Sequence, residues 1–315
     1  MSQFISEMEF ILYAAITAGT PLLMATIGEI ITERAGNTNL GVEGMMLMGA
    51  VAGFQVGYST NSALLAILFA LLAGAAGSLI YAVLTVTLRA NQIVSGLVLT
   101  IFGTGVAGFA GQNLSGLAIP DAVKKVFVPV KIPLLGDIPT IGKILFNHDI
   151  IVYIGYLIAI CASVYLFHTR KGLNLRSIGE NPAAADSAGL NVSLYKYIHI
   201  LIGGALSGLA GAYLSVVHVG TWQNSIVNGR GWIAVALVIF VSWKPGRAII
   251  GAYFFGALEM LGIYMQKYDI KISIYFLNMV PYVATIFVLV VMSMKKYKEN
   301  SPPKALGDSF FREDR

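Results

Sequence analysis

The sequence predicts an all-α integral membrane protein with about nine transmembrane helices, and three observations carry that prediction. Of its 315 residues, 57% are hydrophobic and only 12% charged, about half the charged share of a soluble domain. The charged residues stand at the ends of long apolar runs, where a bilayer tolerates them. Glycine supplies 34 residues. Small residues recur at four-residue spacing, as in Ala66, Ala70, Gly74 and Ser78 or Gly203, Ser207 and Gly211, which lets helix backbones approach closely in lipid.

A helix needs about 20 apolar residues to cross. Residues 10–28 qualify, bounded by Glu9 and Glu29. The uncharged stretch that follows Glu43 is too long for one helix. Its polar cluster Ser59-Thr60-Asn61-Ser62 divides it into spans at 42–58 and 63–88. A fourth span covers 91–111. Residues 112–149 hold Pro120, Pro129, Pro133 and Pro139 and read as an outer loop. The fifth span is 150–167, and 169–197 is polar and basic, hence outside the bilayer. Spans follow at 198–217, 248–266 (with Glu259 inside it) and 272–294, where Pro281 suggests a kink. Between them, 231–243 is too short to cross unaided and predicts a short or broken helix. Residues 1–294 thus form one transmembrane domain, and 295–315 a polar, loose tail.

Orientation follows the basic residues. Arg170, Lys171, Arg176 and Lys196 place the 169–197 loop in the cytoplasm, and Lys295, Lys296 and Lys298 place the tail there too. The N-terminus is then outside and the C-terminus inside. The first ten residues hold no Lys or Arg, so the first run reads as a retained span rather than a cleaved signal.

Several function classes are disfavoured. The net charge of +5 follows membrane topology and does not indicate nucleic acid. The single cysteine, Cys161, excludes an internal disulfide and reads as a small core hydrophobe. His148, His168, His199 and His218 show no metal-ligand spacing. The segment Gly136–Lys143 is one residue too long for a phosphate loop, and Ile144 stands where Ser or Thr is needed. No catalytic constellation, cofactor site or metal site is apparent, so any ATP used in transport is bound by another chain.

The cytoplasmic loop is the most informative stretch. Asn181 is a good N-cap, Pro182 suits the first helical position, three alanines propagate the helix and Gly189 suits its end. A helix that short is marginal alone, which implies a packing partner. The pattern Arg176-x-x-Gly179-Glu180-Asn181-Pro182-x-Ala184-Ala185, followed by Gly189, resembles ABC permeases of the branched-chain amino acid, ribose and nucleoside group. That resemblance implies a coupling helix docking on a cytosolic ABC ATPase.

Two further stretches carry the resemblance. Glu33-Arg34-Ala35-Gly36 leading into Asn39-Leu40-Gly41-Val42-Glu43-Gly44 is similar to the nucleoside and simple-sugar branch. Asn39 and Glu43, four residues apart, are expected on one helix face. An acid beside hydrocarbon is costly, so Glu43 either lines the solute pathway or serves structurally, capping or pairing with Arg34. Asn228-Gly229-Arg230-Gly231-Trp232, ending in Trp243-Lys244-Pro245, resembles the turn and short helix near the transport path of these permeases. Asn224 and Trp232 could receive a polar solute, whereas Trp222 is expected to be an interfacial anchor.

The resemblance implies a multi-pass permease of a bacterial inner membrane, importing nucleosides or a related small solute. Its partners would be two ATPases, a second, non-identical permease and an extracellular substrate-binding lipoprotein. A simple sugar such as ribose is the first alternative. The second is an ion-coupled secondary transporter using Glu43 and Glu259. The Gly/Asn-rich entries at 37–41 and 228–231, oppositely oriented, suggest two inverted halves.

Overall fold

The structure is a computed structural model and describes residues 2–265, 273–294 and 301–312. Four long helices come first: α1 (Ser2–Arg34), α2 (Val42–Thr60), α3 (Ala63–Ala82) and α4 (Gln92–Gly111), with a π-turn at Val83–Thr87 after α3. The connection that follows folds into α5 (Asp121–Lys124), β1 (Val130–Lys131), α6 (Ile141–Leu145) and β2 (Asn147–His148), the two strands pairing antiparallel. Then come α7 (Ile150–His168), α8 (Arg170–Glu180), α9 (Pro182–Ser187) and α10 (Val192–Ala212), which ends in a π-turn at Tyr213–His218. The chain closes with α11 (Arg230–Phe240), α12 (Pro245–Met265) and α13 (Ile274–Met294).

Helix starts follow local chemistry. Asn91 Oδ1 accepts from the Val94 N–H at 3.0 Å, Asp149 Oδ1 from the Ile151 N–H at 2.9 Å, and Asn191 Oδ1 from the Leu194 N–H at 3.0 Å. Each satisfies an N–H that the first turn would leave orphaned.

Among the described residues, six segments are long and apolar enough to cross a membrane by length and composition: Glu7–Arg34, Ala63–Thr87, Gln92–Gly111, Ile150–His168, Val192–His218 and Pro245–Met265. The sequence predicted nine. The expected spans at 42–58, 231–243 and 272–294 are the helices α2, α11 and α13, but they are not among the six. α2 carries Glu43 in its first turn and Gln55 in its middle, and it is enclosed by other helices. α11 has 11 residues and reaches only about 17 Å. α13 is described only in part.

Burial ranks the helices from centre to rim. The apolar windows of α1 and α10 are 67% and 72% buried, against 28–33% for α3, α4, α7 and α12. Small residues make that centre possible. A Cβ at Gly74 of α3 would lie 2.8 Å from Gly208 Cα of α10, and one at Gly28 of α1 would lie 2.7 Å from the Gly203 carbonyl. Neither neighbour can move, because each is backbone. Replacing Gly208 by leucine should therefore force α3 and α10 apart and cost about 3 kcal/mol or more. Size-exclusion chromatography of detergent-solubilised protein should show the folded peak largely lost, while leucine at Gly105, whose Cβ meets nothing within 4 Å, leaves it intact.

Several expectations change. The outer loop is structured: His148 is buried and stacks on Tyr13 of α1 with centroids 4.5 Å apart. Burial holds the His148 ring below its usual pKa and the Asp149 carboxyl above its own. Trp222 is no interfacial anchor. It is 1% exposed, wedged against Phe54 and Gly111, and joined to the outer loop by bridges at Ser115 and between Ala118 and Thr221. Cys161 is exposed on the rim rather than buried in the core. The basic loop holds α8 as well as the expected short helix. The tail from 301 to 312 is packed on the protein, not loose; 295–300 and 313–315 lie outside the described residues.

Candidate functional site

The two sequence stretches flanking the transport-path motifs meet around one short helix, α11. At its N-terminus the Glu43 carboxylate accepts from the Gly229 N–H at 2.8 Å and the Gly231 N–H at 2.7 Å. Gly229 makes this turn at φ +82°, and a Cβ at Gly231 would sit 2.5 Å from Glu43 Cα, so the approach requires glycine at both positions. Glu43 also stands in the first turn of α2. Two helix N-termini, those of α2 and α11, thus converge on a single carboxylate, which their dipoles stabilise.

The other end of α11 is held by the residues just before α2. Beyond Phe240 the chain turns with Ser242 and Trp243 at φ +56° and +55°. Arg34 Nε and one terminal nitrogen donate to the Trp243 carbonyl at 3.3 and 3.2 Å, a cation at a helix C-terminus. The Trp243 indole N–H donates to the Glu33 carboxylate. Midway, Thr26 Oγ1 donates to the Ala234 carbonyl at 3.4 Å. Arg34 and Glu43 therefore sit at opposite ends of α11, about 17 Å apart along its axis. This replaces the expected pairing of Glu43 with Arg34 by a clamp that uses each on a separate terminus.

The candidate pathway residues fall in different surroundings. Asn39 lies in a turn before α2, not on its helical face: its Oδ1 accepts from the Gly41 N–H at 2.9 Å, and its own N–H donates to Glu29 at 2.8 Å. Trp232, in the first turn of α11, is 36% exposed, and Asn224 is exposed in the turn before that helix. Glu259 of α12 is ion-paired with Arg230 beside a small cavity of about 110 Å³ that Asn228, Pro281 and Tyr282 also line. That pair was not foreseen, although two opposite charges within apolar surroundings imply a partner for each.

The candidates of the 169–197 loop form a second cluster. Thr169 caps α8, and Asn181 Oδ1 accepts from the Ala184 N–H at 3.0 Å to cap α9. Pro182 occupies the first turn, and Gly189 ends the motif at φ +84°. Ala185 points inward onto Ile178 and Val192, while Glu180, Asn181, Ala184 and Gly189 face outward. Gly179 presses on the end of α1, where a Cβ would meet the Arg34 carbonyl. The Arg176 guanidinium lies 5.1 Å from the Phe167 ring centroid. The result is a ridge of small side chains around Ala184, flanked by the exposed Glu180 and carried on α8, which touches α1 at Gly179.

Comparison with known proteins finds a matching family and several relatives. A family model described as the permease component of branched-chain amino acid transport systems matches residues 11–293. The nucleoside ABC transporter permease NupC of Lactococcus lactis is 35% identical, with 98% of each chain covered. The guanosine ABC transporter permease NupQ of Bacillus subtilis is 34% identical, over 90% of this chain and 91% of its own. TsgC13 of Haloferax volcanii, assigned by name to a glucose ABC transporter, is 37% identical over 84% and 80%. Among solved structures, an inward-facing ABC transporter described as of metal-chelate type aligns with a TM-score of 0.51 at 13% identity, covering 90% of this chain and 84% of that one.

Proposed function

The chain belongs to the family of permease components of branched-chain amino acid transport systems, and from that premise we propose that it imports nucleosides. As an ABC transporter permease it is a multi-pass membrane subunit without a catalytic site of its own, and ATP hydrolysis belongs to a separate ATPase. Inward transport is driven by that ATPase docking on α9, whose outward Ala184 ridge fits a cleft on a partner. A binding lipoprotein delivers the solute from outside, and a second, non-identical permease completes the pore in a bacterial inner membrane. All nine expected helices are taken as membrane-embedded, with α11 as a partial span, the N-terminus outside and the C-terminus inside.

The likeness to NupC, complete over 98% of both chains, is the observation that supports nucleosides. Likeness to TsgC13 favours a simple sugar as the second reading. An ion-coupled carrier has little to support it, since Glu43 serves two backbone N–H groups and Glu259 pairs with Arg230. Cells expressing the transporter should take up labelled uridine or guanosine, and excess unlabelled nucleoside should suppress that uptake while ribose and glucose do not. Suppression by a free sugar, with nucleosides inert, would replace the first reading by the second.

A further inference from the structure

The tail from 301 to 312 crosses three cytoplasmic connections that are far apart in sequence. Its first contact is with the end of α8, where the Ala305 N–H donates to the Gly179 carbonyl at 2.9 Å and Pro303 packs 3.3 Å from where a Gly179 Cβ would stand. It next meets the α1–α2 connection. Gly307 N–H donates to the Gly36 carbonyl at 3.3 Å, and a Cβ at Gly36 would lie 3.2 Å from the Ala305 carbonyl. Then it reaches the turn between α3 and α4, where Gln92 Nε2 donates to the Asp308 carbonyl at 3.2 Å and the Arg89 guanidinium stacks 4.6 Å from the Phe311 centroid. Finally it returns to α9: Phe310 packs on the cluster of Ile178, Ala185 and Val192, and Arg312 Nε donates to Asp186 at 3.2 Å.

We propose that this segment is a strap that ties the α8–α9 unit to the cytoplasmic ends of α1, α3 and α4, so that movement of α9 is delivered to those helices. The covalent chain links α8 and α9 only to α7 and α10. α8 touches the end of α1 at Gly179, but α9 and the α3–α4 turn are separated by a cavity of about 360 Å³ lined by Arg89, Asp186, Asn191, Phe310 and Arg312. The strap spans that gap, with Phe310 and Arg312 on the α9 side and Phe311 on Arg89. Pro303 and Ala305 are buried beneath neighbouring backbone. Burial and several hydrogen bonds along so short a segment make it a fixed link rather than a fraying end. A closure passed to α9 already reaches α1 and α3 through α10, which is close-packed on both; what the strap adds is a direct tie to the α3–α4 turn, so that α4 follows α9 as one body.

The inference rests on the reading of α9 as the ATPase-docking helix, and the test separates the two. The chain truncated before Ser301 is expressed with its ATPase, reconstituted in vesicles, and assayed for ATP hydrolysis, ATPase co-purification and solute uptake. The expected result is a complex that still holds its ATPase and hydrolyses ATP, with uptake per ATP at least about tenfold lower. Phe310→Asp in the full chain, which lifts the strap without shortening the protein, should show the same split if the truncated chain fails to reach the membrane. Wild-type uptake per ATP in either variant overturns the strap. Loss of the ATPase from the complex also overturns it, because the tail would then be part of the docking surface. Failure of the docking reading shows elsewhere, as normal uptake when Ala184 carries a bulky charge.

Discussion

Arginine in place of Ala184 is expected to leave the permease folded in the membrane and to abolish coupled uptake. Ala184 is exposed on α9 and its side chain touches nothing that the fold requires. Arginine is a good helix former, and exposed substitutions of this kind usually change stability by under about 0.5 kcal/mol. The Asn181 cap, which engages the Ala184 backbone N–H rather than its side chain, is untouched. The cost falls on the docked state. A helix seated in a cleft must bury the residue at its ridge, and burying an unpaired guanidinium there costs about 3 kcal/mol or more. That corresponds to roughly a hundredfold loss of productive docking. Uptake in vesicles should fall accordingly, with ATPase no longer co-purifying or hydrolysing ATP without transport. Serine at the same position, small and uncharged, should behave almost as wild type. Full uptake by the arginine variant would remove α9 from the coupling route.

How much of this was legible beforehand depends on how far apart the interacting residues lie. The short helix α9 was readable because its signals are adjacent: Asn181 caps, Pro182 starts, Gly189 stops. α11 was readable as too short because apolar length is a local count. α8 was missed although its signal was present, with Thr169 as N-cap and Gly172, Leu175, Ile178 and Gly179 on one buried face. Its many charges masked that periodicity. What could not be read was pairing across some two hundred residues. Sequence shows that Glu33, Arg34 and Glu43 are unusual; it does not show that they grip the two ends of α11. Trp222 reads as an interfacial anchor until Ser115 and Gly111 are placed against it. The tail offers no periodicity, since its attachment runs through backbone groups of Ala305 and Gly307, whose sequence carries no trace of their partners.

Removing the carboxylate of Glu43 should have the second large effect, and its form separates a structural role from a pathway role. Both oxygens of Glu43 accept backbone N–H groups at the N-terminus of α11. Alanine at this position leaves the buried Gly231 N–H without a partner, at a cost of about 1–3 kcal/mol, and the half-buried Gly229 N–H as well, at a smaller one. Glutamine keeps the shape and one acceptor oxygen but turns an amide N–H toward the other donor, so roughly half the loss is expected to remain. Arg34 still holds the far end of α11, which should therefore loosen at its outer turn rather than detach. The denaturation midpoint should fall by roughly 5 °C or more in the alanine variant and less in the glutamine variant. Uptake rate should fall in the same order while the solute concentration for half-maximal uptake stays unchanged, because the carboxylate is already occupied by Gly229 and Gly231. A pathway role demands the opposite: unchanged thermal stability with a shifted half-maximal concentration that differs between solutes. Seeing that second pattern would move Glu43 from the clamp on α11 to the solute route.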